Sequence, residues 1–266
     1  ILTQTDKIIL SKLLTLEDFG FYTLAITIST MAVATIVGSI TNSVYPKFSG
    51  FVMLDDESGL SEFYHRSCQI LSAFLMPVVL VIAVFSYQIL LVWTRQQIIA
   101  ENTYLILAVV VAGTGLNGLM WLPYHLQLAY GWTKLGFYVN LAAIVGLVPL
   151  MIFGSLKYGA LGGAAAFALL NIFYIVFSIQ IMHRRLLKGE PWKWYFQDVG
   201  VPLLVASAIV FTGKWFFSAD WSVFVKILYF GFLTAISFAA IVAVLPRLRQ
   251  MAVNNIMKIA LPKESN

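Results

Sequence analysis

Stretches of about twenty almost wholly apolar residues recur along this chain, and no other feature constrains its fold as much. They run over residues 19–44, 68–93, 103–129, 135–153, 160–182, 199–215 and 223–245. A helix needs about 20 such residues to cross a bilayer. In lipid every backbone N–H and C=O must find its partner within the protein, which leaves helices and closed barrels. Barrel strands would alternate over segments of about 10 residues, and these runs are longer and continuous. The chain is therefore expected to be all-α, a polytopic membrane helix bundle of about eight transmembrane helices. Composition agrees: 60% of residues are hydrophobic and 11% charged, against about 25% charged in soluble domains.

The eighth helix is the first in order. Residues 1–14 are apolar apart from a few polar positions, and they carry Asp6 beside Lys7. The apolar run before Lys12 is too short to span, so this stretch reads as the end of a longer helix and the chain as part of a larger protein. A turn at residues 15–18 leads into the second helix, which Pro46 is expected to close at about residue 44. Residues 47–67 read as a polar loop with an amphipathic helical piece, and they include His65. The fourth helix carries Asn117, Pro123 and His125, and the proline is expected to kink it. Residues 183–198 form the most basic loop. Their Trp192, Trp194, Tyr195 and Phe196 suit a headgroup layer.

The net charge of +5 sits in the loops and the tail, which is a topology signal and points to no nucleic acid. Arg184, Arg185, Lys188, Lys193, Arg247, Arg249, Lys258 and Lys263 fall on one side of an eight-span chain, with Lys47, Arg66 and Lys134. Lys12, Arg95, Lys157, Lys214 and Lys226 fall on the other. The first side is expected to be cytoplasmic, the C-terminus with it. Cys68 is the lone cysteine, so no internal disulfide is possible. The three histidines, His65, His125 and His183, lie far apart in sequence and suggest no metal-ligand spacing. No nucleophile elbow or catalytic triad is recognisable, no cofactor is implied, and the chain is not expected to be an enzyme.

A charge inside a membrane segment is costly unless it faces protein or water, so Asp6 and Lys7 mark a candidate functional interior. Lys7 and Lys12 lie five residues apart on a helix, about 140° around its axis. A wide water-filled cavity would be reached by both. Cationic groups there suit an anionic substrate such as a pyrophosphate. From charge and position, the candidate substrate-binding residues are Lys7, Lys12 and Arg95, with Asp6 orienting Lys7 or coupling a cation. Gly159-Ala-Leu-Gly162-Gly163 and the alanines after it form a small-residue face on which another helix can pack closely.

Asp6-Lys7-Ile-Ile-Leu-Ser11, followed by Phe19-Gly20-Phe21-Tyr22-Thr-Leu-Ala25, resembles a pattern of polysaccharide biosynthesis proteins that flip undecaprenyl-pyrophosphate-linked O-antigen units. Gly154-Ser-Leu-Lys-Tyr-Gly159-Ala-Leu-Gly162-Gly-Ala-Ala-Ala166 is similar to the opening of a late helix in the same proteins. Leu126-Gln127-Leu-Ala129-Tyr-Gly131-Trp-Thr-Lys134 resembles a further run of theirs. The resemblance implies the multidrug/oligosaccharidyl-lipid/polysaccharide exporter fold, with two six-helix lobes around a cavity. On that reading residues 1–185 supply the second lobe and 186–198 a basic cytoplasmic loop. Residues 199–245 add two further helices, and 246–266 form a basic tail. It also implies alternating access in a bacterial inner membrane and a lipid-linked oligosaccharide as substrate. The implied partners are membrane lipids, an N-terminal lobe of the same protein and glycan assembly enzymes. A multidrug exporter of the same superfamily, and a membrane polysaccharide polymerase or glycosyltransferase, are the alternatives. The drug exporter would favour acidic cavity residues, and the enzymes a long outer loop, whereas the outer loops here are short.

Overall fold

The structure is a computed structural model that describes the backbone of residues 2–260 and the side chains of residues 6–254. Lys263 and the side chain of Lys258 lie outside the described residues, as does the end of the basic tail. The described chain is helical nearly throughout. It begins with α1 (Leu2–Leu13), α2 (Leu16–Met53) and α3 (Glu57–Val84). Next come α4 (Ser86–Thr94), α5 (Gln97–Leu119), α6 (Trp121–Ala129) and α7 (Thr133–Phe173). A π-helical turn, Tyr174–Ser178, joins α7 to α8 (Ile179–Arg185). The short α9 (Pro191–Lys193) runs through a second π-helical stretch, Trp194–Gly200, into α10 (Val201–Phe216). The chain then forms α11 (Val223–Val244) and α12 (Pro246–Ala260).

Polar side chains start several of these helices. The Thr15 oxygen accepts from the Asp18 amide at 3.1 Å at the head of α2, Asp56 accepts from Gly59 at 2.9 Å for α3, and Ser222 accepts from Val225 for α11. Each satisfies one of the four amides a helix start leaves bare.

Several boundaries differ from the sequence expectation, among them the expected 68–93 helix, which parts at Phe85; three have a clear physical reason. Pro46 does not close α2, which continues to Met53. The proline lies on the uncovered side of the helix, and beyond it Phe48, fully buried, packs on Phe63 and Tyr64 of α3. That packing outweighs one lost hydrogen bond. Residues 57–67, expected to belong to a polar loop with an amphipathic helical piece, are the first turns of α3 itself. The basic loop shrinks to the few residues between Arg185 and Pro191, because 191–200 is helical and runs straight into α10. The break expected near Pro123 is present: the helix parts at Met120, beside the carbonyl of Leu119 that the proline ring would crowd.

Among the described residues six helical stretches are long and apolar enough to cross a membrane. One of them, Thr133–Arg185, is 53 residues long and would reach about 80 Å if straight, far more than a bilayer. It is not straight. Gly159 adopts φ 58° and ψ −143°, a conformation that glycine reaches without a Cβ penalty. Past it the chain doubles back, so that a Cβ on Gly154 would lie 2.8 Å from the carbonyl oxygen of Gly162. The small-residue face read from the sequence thus packs against the arm of its own helix that precedes it.

The centre of the bundle is α3 with α5. The most apolar window of α3 is 61% buried, against 17% for that of α11. α3 packs against α2, α5, α10 and α11, while α1 packs against α7 and, more lightly, α2. The bundle therefore holds together from α3 outward. The chain is a multi-pass membrane protein by this architecture.

Candidate functional site

On α1, Asp6 and Leu10 lie one helical turn apart and both turn inward; Leu10 reaches Gly163 beyond the Gly159 fold. Asp6 is 8% exposed and accepts a hydrogen bond from the Tyr22 hydroxyl on α2, at 3.0 Å. Tyr22 is itself fully buried. Lys7, about 100° further round the helix, is half-buried, and Lys12 is exposed. Arg95 is exposed where α4 ends, with φ 54°. Among the described residues no ion pair or hydrogen bond joins any two of Asp6, Lys7, Lys12 and Arg95. The adjacent acid and base are thus neighbours in sequence, while the contact Asp6 makes in space is to Tyr22.

The side of α2 that none of the described helices covers is polar for a membrane helix. Thr27, Thr30, Thr35, Ser39, Asn42 and Ser43 are all exposed. Several hydroxyls return to the carbonyl four residues earlier, as Thr27 does to Thr23 and Ser39 to Thr35. Asn42 and Lys47 extend the polar surface towards the end of the helix.

A second constellation was not visible in the sequence. Ser61, His65 and Gln69 recur every four residues and so share one face of α3. Opposite them stand Glu190, at the start of the α9 region, and Asp198, in the π-helical stretch before α10. His65 is fully buried, and its two ring nitrogens face two carboxylates: Nδ1 meets Asp198, and Nε2 lies 2.5 Å from Glu190. The Gln69 amide donates to the other Asp198 oxygen at 2.9 Å. Ser61 donates to Glu190 at 2.7 Å, and Lys193 approaches the same carboxylate at 3.3 Å.

Apolar and aromatic groups close this network. Asp198 is fully buried and Trp194 is 1% exposed. The Tyr64 ring packs between His65 and His183, with centroids 5.2 Å and 5.9 Å away. Of His65 and its two carboxylates, Glu190 alone touches solvent, through a shallow groove bounded by Glu57, Ser58, Ser61, Leu187 and Lys188. Partial burial works to raise the Glu190 carboxyl. The hydrogen bonds from Ser61 and His65, with the His65 and Lys193 charges, outweigh it and hold the group below its ordinary value.

Sequence reasoning missed this cluster because it placed His65 in a loop and read the histidines as unrelated. Two signals were present: the four-residue spacing of Ser61, His65 and Gln69, and an acid, Asp198, at the threshold of an apolar run. Trp194 was expected at the headgroup layer, but it lies in the interior, whereas Trp192 and Phe196 are exposed. Among the described residues no group of three or more His, Cys, Asp or Glu side chains has a metal-binding arrangement. The cluster's hydrogen bonds tie 190–198 to α3.

Residues 1–98 match the sequence model of a family described as polysaccharide biosynthesis protein. The chain is also similar to a protein of Shigella flexneri named "Putative O-antigen transporter". The two are 22% identical over 169 residues, which is 64% of this chain and 39% of that relative. No solved structure matches significantly. The resemblance to polysaccharide biosynthesis and O-antigen transport proteins read from the sequence is borne out by both comparisons.

Proposed function

We propose that this chain is the part of a membrane transporter that moves lipid-linked oligosaccharide units across a bacterial inner membrane for surface polysaccharide assembly. The observation that carries the reading is the pairing of two features: the family pattern over residues 1–98, and the polar, uncovered side of α2 within that same stretch. A lipid-facing surface gains nothing from a row of hydroxyl and amide side chains. The wall of a water-filled path does. Lys7 on the neighbouring α1 supplies a cation at membrane depth that suits a diphosphate linked to lipid. On this reading the chain forms one wall of a cavity, another part of the same protein forms the opposing wall, and the cavity opens to each side in turn. On the same reading Thr133–Arg185 crosses twice about Gly159, and with α1 the chain contributes eight segments. The basic side, including the C-terminus, faces the cytoplasm. The chemistry is transport, with no bond made or broken.

The test compares Lys7→Ala with Lys226→Ala in the full-length parent, at equal protein level in the membrane. Lys226 lies near the start of α11, where a long side chain can reach the interface. Lys7→Ala is expected to lower surface polysaccharide while Lys226→Ala leaves it near the parental level. Equal output from the two variants would remove Lys7 from the substrate path.

A further inference from the structure

The arrangement around His65 has a proton count that only one charge state satisfies. A neutral imidazole offers one N–H and one lone pair, and a charged one offers two N–H groups. Two ionised carboxylates facing both nitrogens therefore require the charged ring. With a neutral ring, one carboxyl must carry the proton instead. Either way the closed cluster holds one proton more than a neutral histidine and two carboxylates together. The remaining donors cannot replace it. Gln69 is committed to the far Asp198 oxygen and Ser61 to Glu190. Loss of the proton leaves a ring lone pair against a carboxylate oxygen, among Tyr64, Trp194 and Cys68, where repulsion is poorly screened.

A route to this proton is present. Glu190 is partly exposed at the groove, it contacts His65, and His65 contacts the fully buried Asp198. Three titratable groups thus run in sequence from solvent to interior, an arrangement typical of proton relays within membrane proteins. We propose that His65, Glu190 and Asp198 form a proton-binding site, loaded from the groove at Glu190, and that the bound proton fastens the 191–216 helix to α3. The site does not depend on what the chain transports.

The surrounding charges set its direction. Lys193, 3.3 Å from Glu190, and Arg247 at the start of α12 are cations that face the two carboxylates. His183 on α8, across the Tyr64 ring, opposes a charge on His65 whenever it is charged itself. Glu57 and Lys188 at the groove mouth offset one another, and Tyr64 and Cys68 on α3 complete the lining. Loss of the proton as pH rises releases 191–200 from α3, while α11 keeps its own contacts.

The experiment uses the whole chain in lipid nanodiscs, with ring-labelled histidine, across about pH 5 to about pH 10. Nuclear magnetic resonance reads the His65 ring, assigned with His65→Gln, while hydrogen exchange reads 191–200 against Val223–Val244. We expect the ring's nitrogen signals to change in a single step as the cluster loses its proton, and exchange at 191–200 to rise about tenfold over that step beyond its intrinsic pH dependence. The rise should be absent from α11. Glu190→Gln decides between a proton site and a structural tie. Its amide can donate to a neutral ring nitrogen, so the closed state no longer needs the extra proton, and the step in exchange should vanish in a folded protein. A step that persists in Glu190→Gln, or exchange at 191–200 that ignores the ring's titration, overturns the proposal.

Discussion

Asp6 and Asp198 are both buried carboxylates in apolar helices, and they lie toward opposite ends of α2, yet the chain satisfies them in different ways. Asp6 is 8% exposed and is held by one neutral donor, Tyr22, sixteen residues along. Asp198 is fully buried and is held by His65 and Gln69, more than a hundred residues away. One carboxylate closes a local joint between consecutive helices. The other joins two parts of the chain that are distant in sequence, through a partner that can itself change charge. A buried charge is costly alone and acceptable when fully bonded. The removal of a partner should therefore cost far more at Asp198 than at Asp6.

The largest expected effect tests that directly. Asp198→Ala strands His65 and Gln69 in the interior and should destabilise the protein by about 3 kcal/mol or more, read from denaturant unfolding in mixed micelles. Next comes Gly162→Ala, which forces a Cβ onto the Gly154 backbone and should cost about 1–3 kcal/mol. Gly146→Ala, where nothing lies within 4 Å, is its control. Because α1 packs on this fold, hydrogen exchange should rise in α1 and stay unchanged at 191–200, which separates the two carboxylate regions. Tyr22→Phe removes the single donor to Asp6 and should cost about 1 kcal/mol. A loss equal to that of Asp198→Ala would erase the distinction between the two sites.

The smallest effect belongs to the solvent edge of the His65 cluster. Lys193 and Glu190 are both partly exposed, so Lys193→Ala should change stability by no more than about 0.5 kcal/mol. Glu190 also gives the cluster an acid limit. Its carboxyl is held below its ordinary value, so its contribution is present above the unfolded value and is lost as pH falls through the folded one. Contact between 190 and α3 should loosen in acid for this reason and in alkali through loss of the shared proton. Thermal unfolding measured across pH should show a plateau between the two limits, and a monotonic profile would contradict it.

How far the sequence reached differs between these same regions. The joint at Asp6 was half legible: the acid stood out in an apolar segment, but Lys7 drew attention as its partner because it is adjacent. On a helix adjacent residues diverge by about 100°, and only the docking of α1 on α2 and α7 shows that Tyr22 faces Asp6. The His65 cluster was legible only in its separate parts. Ser61, His65 and Gln69 announce a polar face, but what that face meets depends on where 190–198 returns. The fold at Gly159 lay between. Its glycines were read as a packing face, and the surface they pack on proved to be their own helix.

The sequence by itself determined that this is a membrane protein made of helices, where most of its apolar runs lie, and which family it resembles. Those are properties of composition, of hydropathy over about 20 residues and of short motifs, and each is carried by residues close together in the chain. Only the tertiary structure decided which polar groups meet. Tyr22 with Asp6, and His65 with Glu190 and Asp198, are products of how helices dock. In an interior where unpaired charge is costly, docking and not sequence distance assigns each polar group its partner.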